Sequence, residues 1–281
     1  MNIYKIALGL VLLLLPALFW LCIYYLKDYR DHEPKKVIIQ TFLLGMLAAI
    51  PFLGIRFLIQ YINISSILFT GIFSVFIFAA MEEIAKLSAS IFVVTHHRID
   101  FNQIIDGVVY AATAALGFAF IENIIYLKDF MISGGNIGSS FYIIAFRSFG
   151  TMLAHTLFSS VAGLIWAYAY FSKRITPFQK KHLLAFELKD FINREILTLH
   201  IIRQNILKSR ASRRGGHEKK ILVLEGFVLA TFLHATFNIM TGAELFGQNL
   251  TFLVVPGIIG GFVYISYMFT KRVNNKIFEV V

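Results

Sequence analysis

Between Ser66 and Val94 nearly every residue is apolar or small, yet Glu82, Glu83 and Lys86 stand in the middle of the run. A stretch of that length can cross a bilayer as a helix. A charge at the bilayer centre costs about 2.5–3.5 kcal/mol on insertion scales. Two neighbouring carboxylates and an amine there must find partners inside the fold. Groups of this kind at membrane depth mark a functional site by default.

Six further apolar runs accompany this one. The windows fall at approximately 4–26, 37–58, 66–94, 105–127, 141–171, 221–241 and 252–270. With 58% hydrophobic and only 15% charged residues, the chain has the composition of an integral membrane protein. The sequence therefore predicts an all-α fold: a polytopic membrane helix bundle of about seven transmembrane helices. Residues 1–281 read as one integral-membrane domain, with a motif-bearing core over 66–241. The run Ile6 to Leu26 is too long for the core of a signal peptide and has no small-x-small cleavage site, so it reads as a retained first span. The single cysteine, Cys22, provides neither a disulfide nor a thiolate metal site.

Charge sets the orientation. If the N-terminus lies outside and the C-terminus inside, all but five of the 26 Lys and Arg fall in inner segments. The exceptions are Lys5, Arg56 and Lys128 on the outer side and Lys86 and Arg147 within spans. The net charge of +10 is thus a property of inner loops and does not point to nucleic acid. The inner loop 172–220, between spans five and six, repeats Leu184, Leu188, Phe191, Ile192, Ile196 and Leu199 at helical spacing. Basic residues, among them Lys208, Arg210, Arg213 and Arg214, follow. An amphipathic cytoplasmic helix with a basic segment against anionic lipid is expected there.

Three more spans carry polar residues: Glu122 and Asn123 in the fourth, Arg147 and His155 in the fifth, and His234 and Asn238 in the sixth. Glu82 and Lys86 share a helix face at i,i+4, as do His234 and Asn238. Arg147, Thr151 and His155 climb one face. Helical rise puts these groups at comparable depth in the outer half of the bilayer, so one shared polar cavity is expected. Ionised, Glu82, Glu83 and Glu122 against Lys86 and Arg147 leave the cluster near −1, so neutrality does not require a metal. Ser159 and Ser160 read as packing. Small residues in two spans, Ala111, Ala115 and Ala119 in one and Gly257 and Gly261 in the other, read as helix-approach stripes.

Four ordered motifs suggest a family. Glu-Glu-x-x-Lys at Glu82, Glu83 and Lys86, then Gly-Phe-x-x-x-Glu-Asn at Gly117, Phe118, Glu122 and Asn123, are followed by Arg147 with His155 and by His-x-x-x-Asn at His234 and Asn238. This order resembles the PrsW family of bacterial intramembrane proteases. Asp106, Gly107 and Tyr110 also look like that family's Asp-Gly-x-x-Tyr segment. The family is similar to the superfamily of CAAX prenyl proteases and bacteriocin-processing proteins. That superfamily has arginine where this chain has Lys86 and histidine where it has Glu122. The resemblance implies a multi-pass protein of the bacterial cell membrane that cleaves a membrane-tethered substrate, such as an anti-sigma factor, on its extracytoplasmic side.

The expected chemistry is peptide hydrolysis by an activated water. Glu82 and Glu122 hold and deprotonate the water beside His155, while His234 and Asn238 donate to the developing oxyanion. Glu83, Lys86, Asn123 and Arg147 support them. A metal-assisted form stands beside it, with zinc held by His155, His234 and one of Glu82 or Glu122. A proton-coupled carrier and a non-catalytic scaffold or receptor are the rival classes.

Overall fold

The computed structural model describes residues 3–27, 32–61, 71–132, 147–172, 215–242, 244–245, 248–249 and 251–275. Each apolar run yields a helix: α1 (Ile3–Lys27), α2 (Lys35–Tyr61), α3 (Gly71–His96), α4 (Asp106–Ile132), α5 (Met152–Phe171), α6 (Gly215–Gly242) and α7 (Thr251–Asn275). A π turn over Arg147–Thr151 leads into α5. Two-residue strands β1 (Glu244–Leu245) and β2 (Gln248–Asn249) pair antiparallel between α6 and α7, with Glu244 opposite Asn249. The amphipathic segment expected over 184–206 lies outside the described residues.

Among the described residues, five stretches are long and apolar enough to cross a membrane: Gly9–Leu26, Lys35–Ile59, Asp106–Leu127, Ser148–Phe171 and Lys219–Gly242. The sequence reading counted seven. α3 has the length, but Glu82, Glu83 and Lys86 interrupt it at mid-helix. In α7 the described apolar part covers Val254–Tyr267. α1, α2 and α7 hold Pro16, Pro51 and Pro256 within the helix. Spanning helices tolerate proline where neighbouring groups satisfy the freed carbonyls.

The core forms around α4 and α5, the most deeply buried of the five. α2 and α5 pack on α4, and α3 runs between α2 and α6. Missing side chains set these approaches. A Cβ on Gly107 would strike the Gly163 carbonyl, and one on Gly163 would strike that of Gly107, so the backbones of α4 and α5 touch. Gly45 and Gly117 do the same for α2 and α4, against Ala114 and Phe42. Lipid tails drive no hydrophobic association, so backbone contact of this kind substitutes for it. Of the two expected stripes, Ala111 lies against Gly163 and a Cβ on Gly261 would come within 3.2 Å of Leu157, but one on Gly257 would meet none of the described residues. That half of the α7 stripe therefore sets no approach to a described helix.

Outward faces carry leucine, isoleucine and phenylalanine, such as Leu43, Leu47 and Ile50 on α2 and Leu224, Val228 and Phe232 on α6. The inward face of α3 runs through Ala79, Glu82, Glu83, Lys86 and Ser90 at three- and four-residue spacing. The turn before α4 is closed by Asp106, whose Oδ2 accepts from the backbone N–H groups of Asn102 (2.9 Å) and Gln103 (2.6 Å). This turn and the start of α2 are bound together by Tyr110, which donates its hydroxyl proton to buried Glu33. Tyr24 of α1 donates to Thr156 of α5 at 2.9 Å.

Candidate active site

Glu82 lies 14 residues before the end of α3, and Glu122 lies 16 after the start of α4. At about 1.5 Å per residue, both stand about 21–24 Å from the α3–α4 turn. His155 is 16 residues before the end of α5, at the same level. His234 on α6 completes the layer, with its ring centroid 4.8 Å from that of His155. All four side chains are buried.

Lys86 holds the layer together. Its Nζ lies 2.8 Å from Glu83 Oε1, 2.7 Å from His155 Nδ1 and 3.4 Å from Glu82 Oε2. An ammonium has three protons and no acceptor, so these three neighbours use its full capacity. Its fourth side faces the ring of Phe118, 4.9 Å from the centroid.

The proton positions on the histidines follow from their neighbours. His155 Nδ1 accepts from Lys86, so its proton sits on Nε2, which lies 3.2 Å from Glu122 Oε2. His234 Nδ1 lies 2.9 Å from Glu83 Oε1, and a carboxylate can only accept. His234 therefore carries its proton on Nδ1, and its Nε2 lone pair points elsewhere. That nitrogen is buried and has no hydrogen-bond partner among the described residues. It faces Glu82 Oε2 across 3.6 Å.

Two acceptors facing each other at this distance need a proton or a cation between them. Glu82, His155 and His234 each offer a donor atom, all within 4.8 Å of one another. Two imidazoles and a carboxylate form a donor set suited to zinc with an open position. Glu83 behind His234 supplies the carboxylate that orients a ligating histidine. The donors thus fit a metal once Lys86 releases His155 Nδ1, 4.0 Å from Glu82 Oε2, because its single lone pair serves either the ammonium or the ion.

Glu83 differs from Glu82. Its Oε1 accepts from Lys86 and His234, and its Oε2 accepts from Ser159 at 2.7 Å. The sequence reading took Ser159 for packing, although its position four residues after His155 puts it on the same face. His234 was expected to donate to an oxyanion, but with Nδ1–H committed to Glu83 it has no proton on the nitrogen that faces the site. Asn238, one turn on, is half-buried. Asn123 is buried beside Glu122 in sequence. The Arg147 side chain lies outside the described residues. Regular spacing from Arg147 to His155 does not hold either, because the π turn intervenes.

The sequence missed a further group above this layer. Arg56 of α2 stacks over Phe78 at 5.8 Å and hydrogen-bonds Tyr126. Phe78 and Tyr126 lie one helical turn beyond Glu82 and Glu122 respectively.

The model of the PrsW family of intramembrane metalloproteases matches residues 33–188, which include Glu82, Glu122 and His155. The chain is 31% identical over 230 residues to the protease PrsW of Oceanobacillus iheyensis, covering 82% of this chain and 93% of that protein. Against the protease PrsW of Geobacillus kaustophilus it is 30% identical over 158 residues, 56% of this chain and 64% of the relative. Against that of Bacillus subtilis it is 33% identical over 114 residues, 40% of this chain and 50% of the relative. No solved structure gives a significant match. A buried carboxylate–histidine cluster on membrane-type helices, a family model over more than half the chain and a relative matched over nearly its whole length agree: the chain belongs to the PrsW family of intramembrane metalloproteases.

Proposed function

We propose that this protease cuts a peptide bond of a membrane-tethered, anti-sigma-factor-like protein near the extracytoplasmic surface, at a metal held by Glu82, His155 and His234. The observation that carries this reading is the orphaned His234 Nε2 facing Glu82 Oε2. The donor set favours zinc. Bound there, zinc would supply a water of lowered pKa and polarise the scissile carbonyl.

The residues divide the remaining work. Glu122 takes the proton of the attacking water and returns it to the leaving amine. Asn238, on the face of His234, donates to the oxygen that develops charge. Glu83 fixes His234, and Lys86 offsets the carboxylates. A metal-free form, in which Glu82 and Glu122 alone activate water, is favoured by one observation. Lys86 Nζ, within 3.4 Å of Glu82, Glu83 and His155, already supplies a cation to the cluster.

The single domain 1–281 sits in the bacterial cell membrane with seven spans, N-terminus out and C-terminus in. α3 and α7 cross with the other five, and the basic loop 172–220 rests on anionic lipid. The protein carrying its natural charges would place the carboxylate layer in the outer half of the bilayer, where an extracytoplasmic cut is made.

The test is cleavage of a single-pass tethered reporter by the purified protein in proteoliposomes. Wild type cuts and Glu82→Gln does not, while keeping its melting temperature. Chelation abolishes cleavage and zinc restores it in the metal form. Full activity after exhaustive chelation selects the metal-free form, and cleavage by Glu82→Gln overturns both.

A further inference from the structure

We infer that Ser159 is a positioning residue of this site: its hydroxyl locks the Glu83 carboxylate, which in turn holds His234 in the tautomer that leaves Nε2 open. The inference rests on the reading that Glu82, His155 and His234 hold a metal.

The chain of contacts is short and fully buried. Ser159 Oγ donates to Glu83 Oε2 at 2.7 Å, and Glu83 Oε1 lies 2.9 Å from His234 Nδ1. The three residues come from α5, α3 and α6, so one hydroxyl couples three helices at a single carboxylate. Lys86 occupies the remaining contact on Oε1, at 2.8 Å.

A carboxylate has two oxygens and rotates about its last bond. Lys86 and His234 both hold Oε1 and leave Oε2 without a contact of its own. Ser159 is the described residue that pins Oε2. Without it, a buried carboxylate oxygen loses its partner, which is unfavourable for any buried acceptor and more so for a charged one. The group relieves this by turning Oε2 toward Lys86 or His234. Either turn displaces Oε1 from its 2.9 Å contact with His234 Nδ1. The imidazole proton is then free to move to Nε2, which closes the lone pair that faces Glu82. Carboxylates behind ligating histidines act in this way, and their loss typically costs 10–100-fold in metal affinity.

Packing does not explain Ser159 equally well. Alanine fills nearly the same volume, so a purely steric role predicts no effect from Ser159→Ala. Threonine keeps the hydroxyl and adds a methyl, so a positioning role predicts rescue by Ser159→Thr.

The experiment measures zinc affinity of the purified full chain by chelator competition and, separately, the His234 tautomer by ¹⁵N imidazole shifts in the metal-free protein. Ser159→Ala is expected to weaken zinc about 10–100-fold, with the melting temperature of the metal-free protein within a few degrees of wild type. Ser159→Thr restores the affinity. In a Glu83→Gln background, Ser159→Ala has no further effect, because both residues act through one contact. The tautomer arm reads the same chain without metal: wild type shows the Nδ1–H form of His234, and Ser159→Ala shows a mixture. Unchanged zinc affinity and an unchanged tautomer in Ser159→Ala overturn the inference, as do additive effects of the two substitutions. If wild type binds no zinc, the metal reading fails. The tautomer arm then still decides whether Ser159 positions His234.

Discussion

At the scale of single residues, Lys86 shows how much of the site depends on one charge. It is fully buried among Glu82, Glu83 and His155, with Phe118 beneath it. Removing one partner of a buried ion pair costs about 3–5 kcal/mol, because the other charge is left uncompensated. Lys86→Met keeps the length and the apolar stem, so its effect isolates the ammonium. It is expected to lower the melting temperature of the detergent-purified protein markedly, and adding Glu83→Gln in the same chain is expected to recover part of the loss. An unchanged melting curve would show that the carboxylates find their counter-charge elsewhere. The sequence made the ion pair legible through the spacing of Glu82 and Lys86. It could not rank the partners: the shorter contact runs to Glu83 at i,i+3, and the shortest to His155 on another helix. Contacts between helices distant in sequence follow from their crossing, which local periodicity does not encode. For the same reason Ser159 read as filler and Arg56 as an outer cation.

At the scale of elements, apolar windows located the seven α-helices among the described residues, because a run of apolar residues in lipid has no alternative to internal hydrogen bonding. What they did not show is which small residues bring the helices together. Ala111 of the α4 stripe does face α5, yet the backbones touch between Gly107 and Gly163, and a Cβ on Gly257 of α7 would meet none of the described residues. Glycine composition is the same in both places, and only the crossing separates them. Gly163→Leu would place a side chain against the Gly107 backbone, which cannot yield as a side-chain tip does. Overpacking of this kind costs about 1–3 kcal/mol or more. The expected result is a lower melting temperature and poor recovery of folded protein in detergent. Gly257→Leu is expected to leave both unchanged. Equal behaviour of the two variants would refute the α4–α5 crossing as the determinant. The π turn before α5 was likewise illegible, since residues 147–151 are compatible with a continuous helix by composition.

At the scale of the whole molecule, the position of the site follows from where the α3–α4 turn lies. Glu82, Glu122 and His155 stand about 21–24 Å from that turn along their helices. The hydrocarbon core is about 30 Å thick. A turn at the inner surface therefore places the carboxylate layer in the outer half, and a turn at the outer surface places it in the inner half. Arg98 sits in the turn, and the positive-inside rule puts it in the cytoplasm. This assignment needs α3 to cross despite its three charges, which their mutual pairing makes physically reasonable. Substituted cysteines decide the matter, in a chain whose single native cysteine is removed by Cys22→Ser. With a membrane-impermeant thiol reagent on intact spheroplasts, Ser139→Cys is expected to label at once. Arg98→Cys is expected to label only after permeabilisation. Among the described helices only α4 lies between the two positions, so they are expected to give opposite answers if it spans. The reversed pattern would move the catalytic layer to the cytoplasmic half and would direct the cut to the inner side of the substrate. Labelling of both positions from outside would mean that α4 does not span, and with it the depth argument for an extracytoplasmic cut would fall.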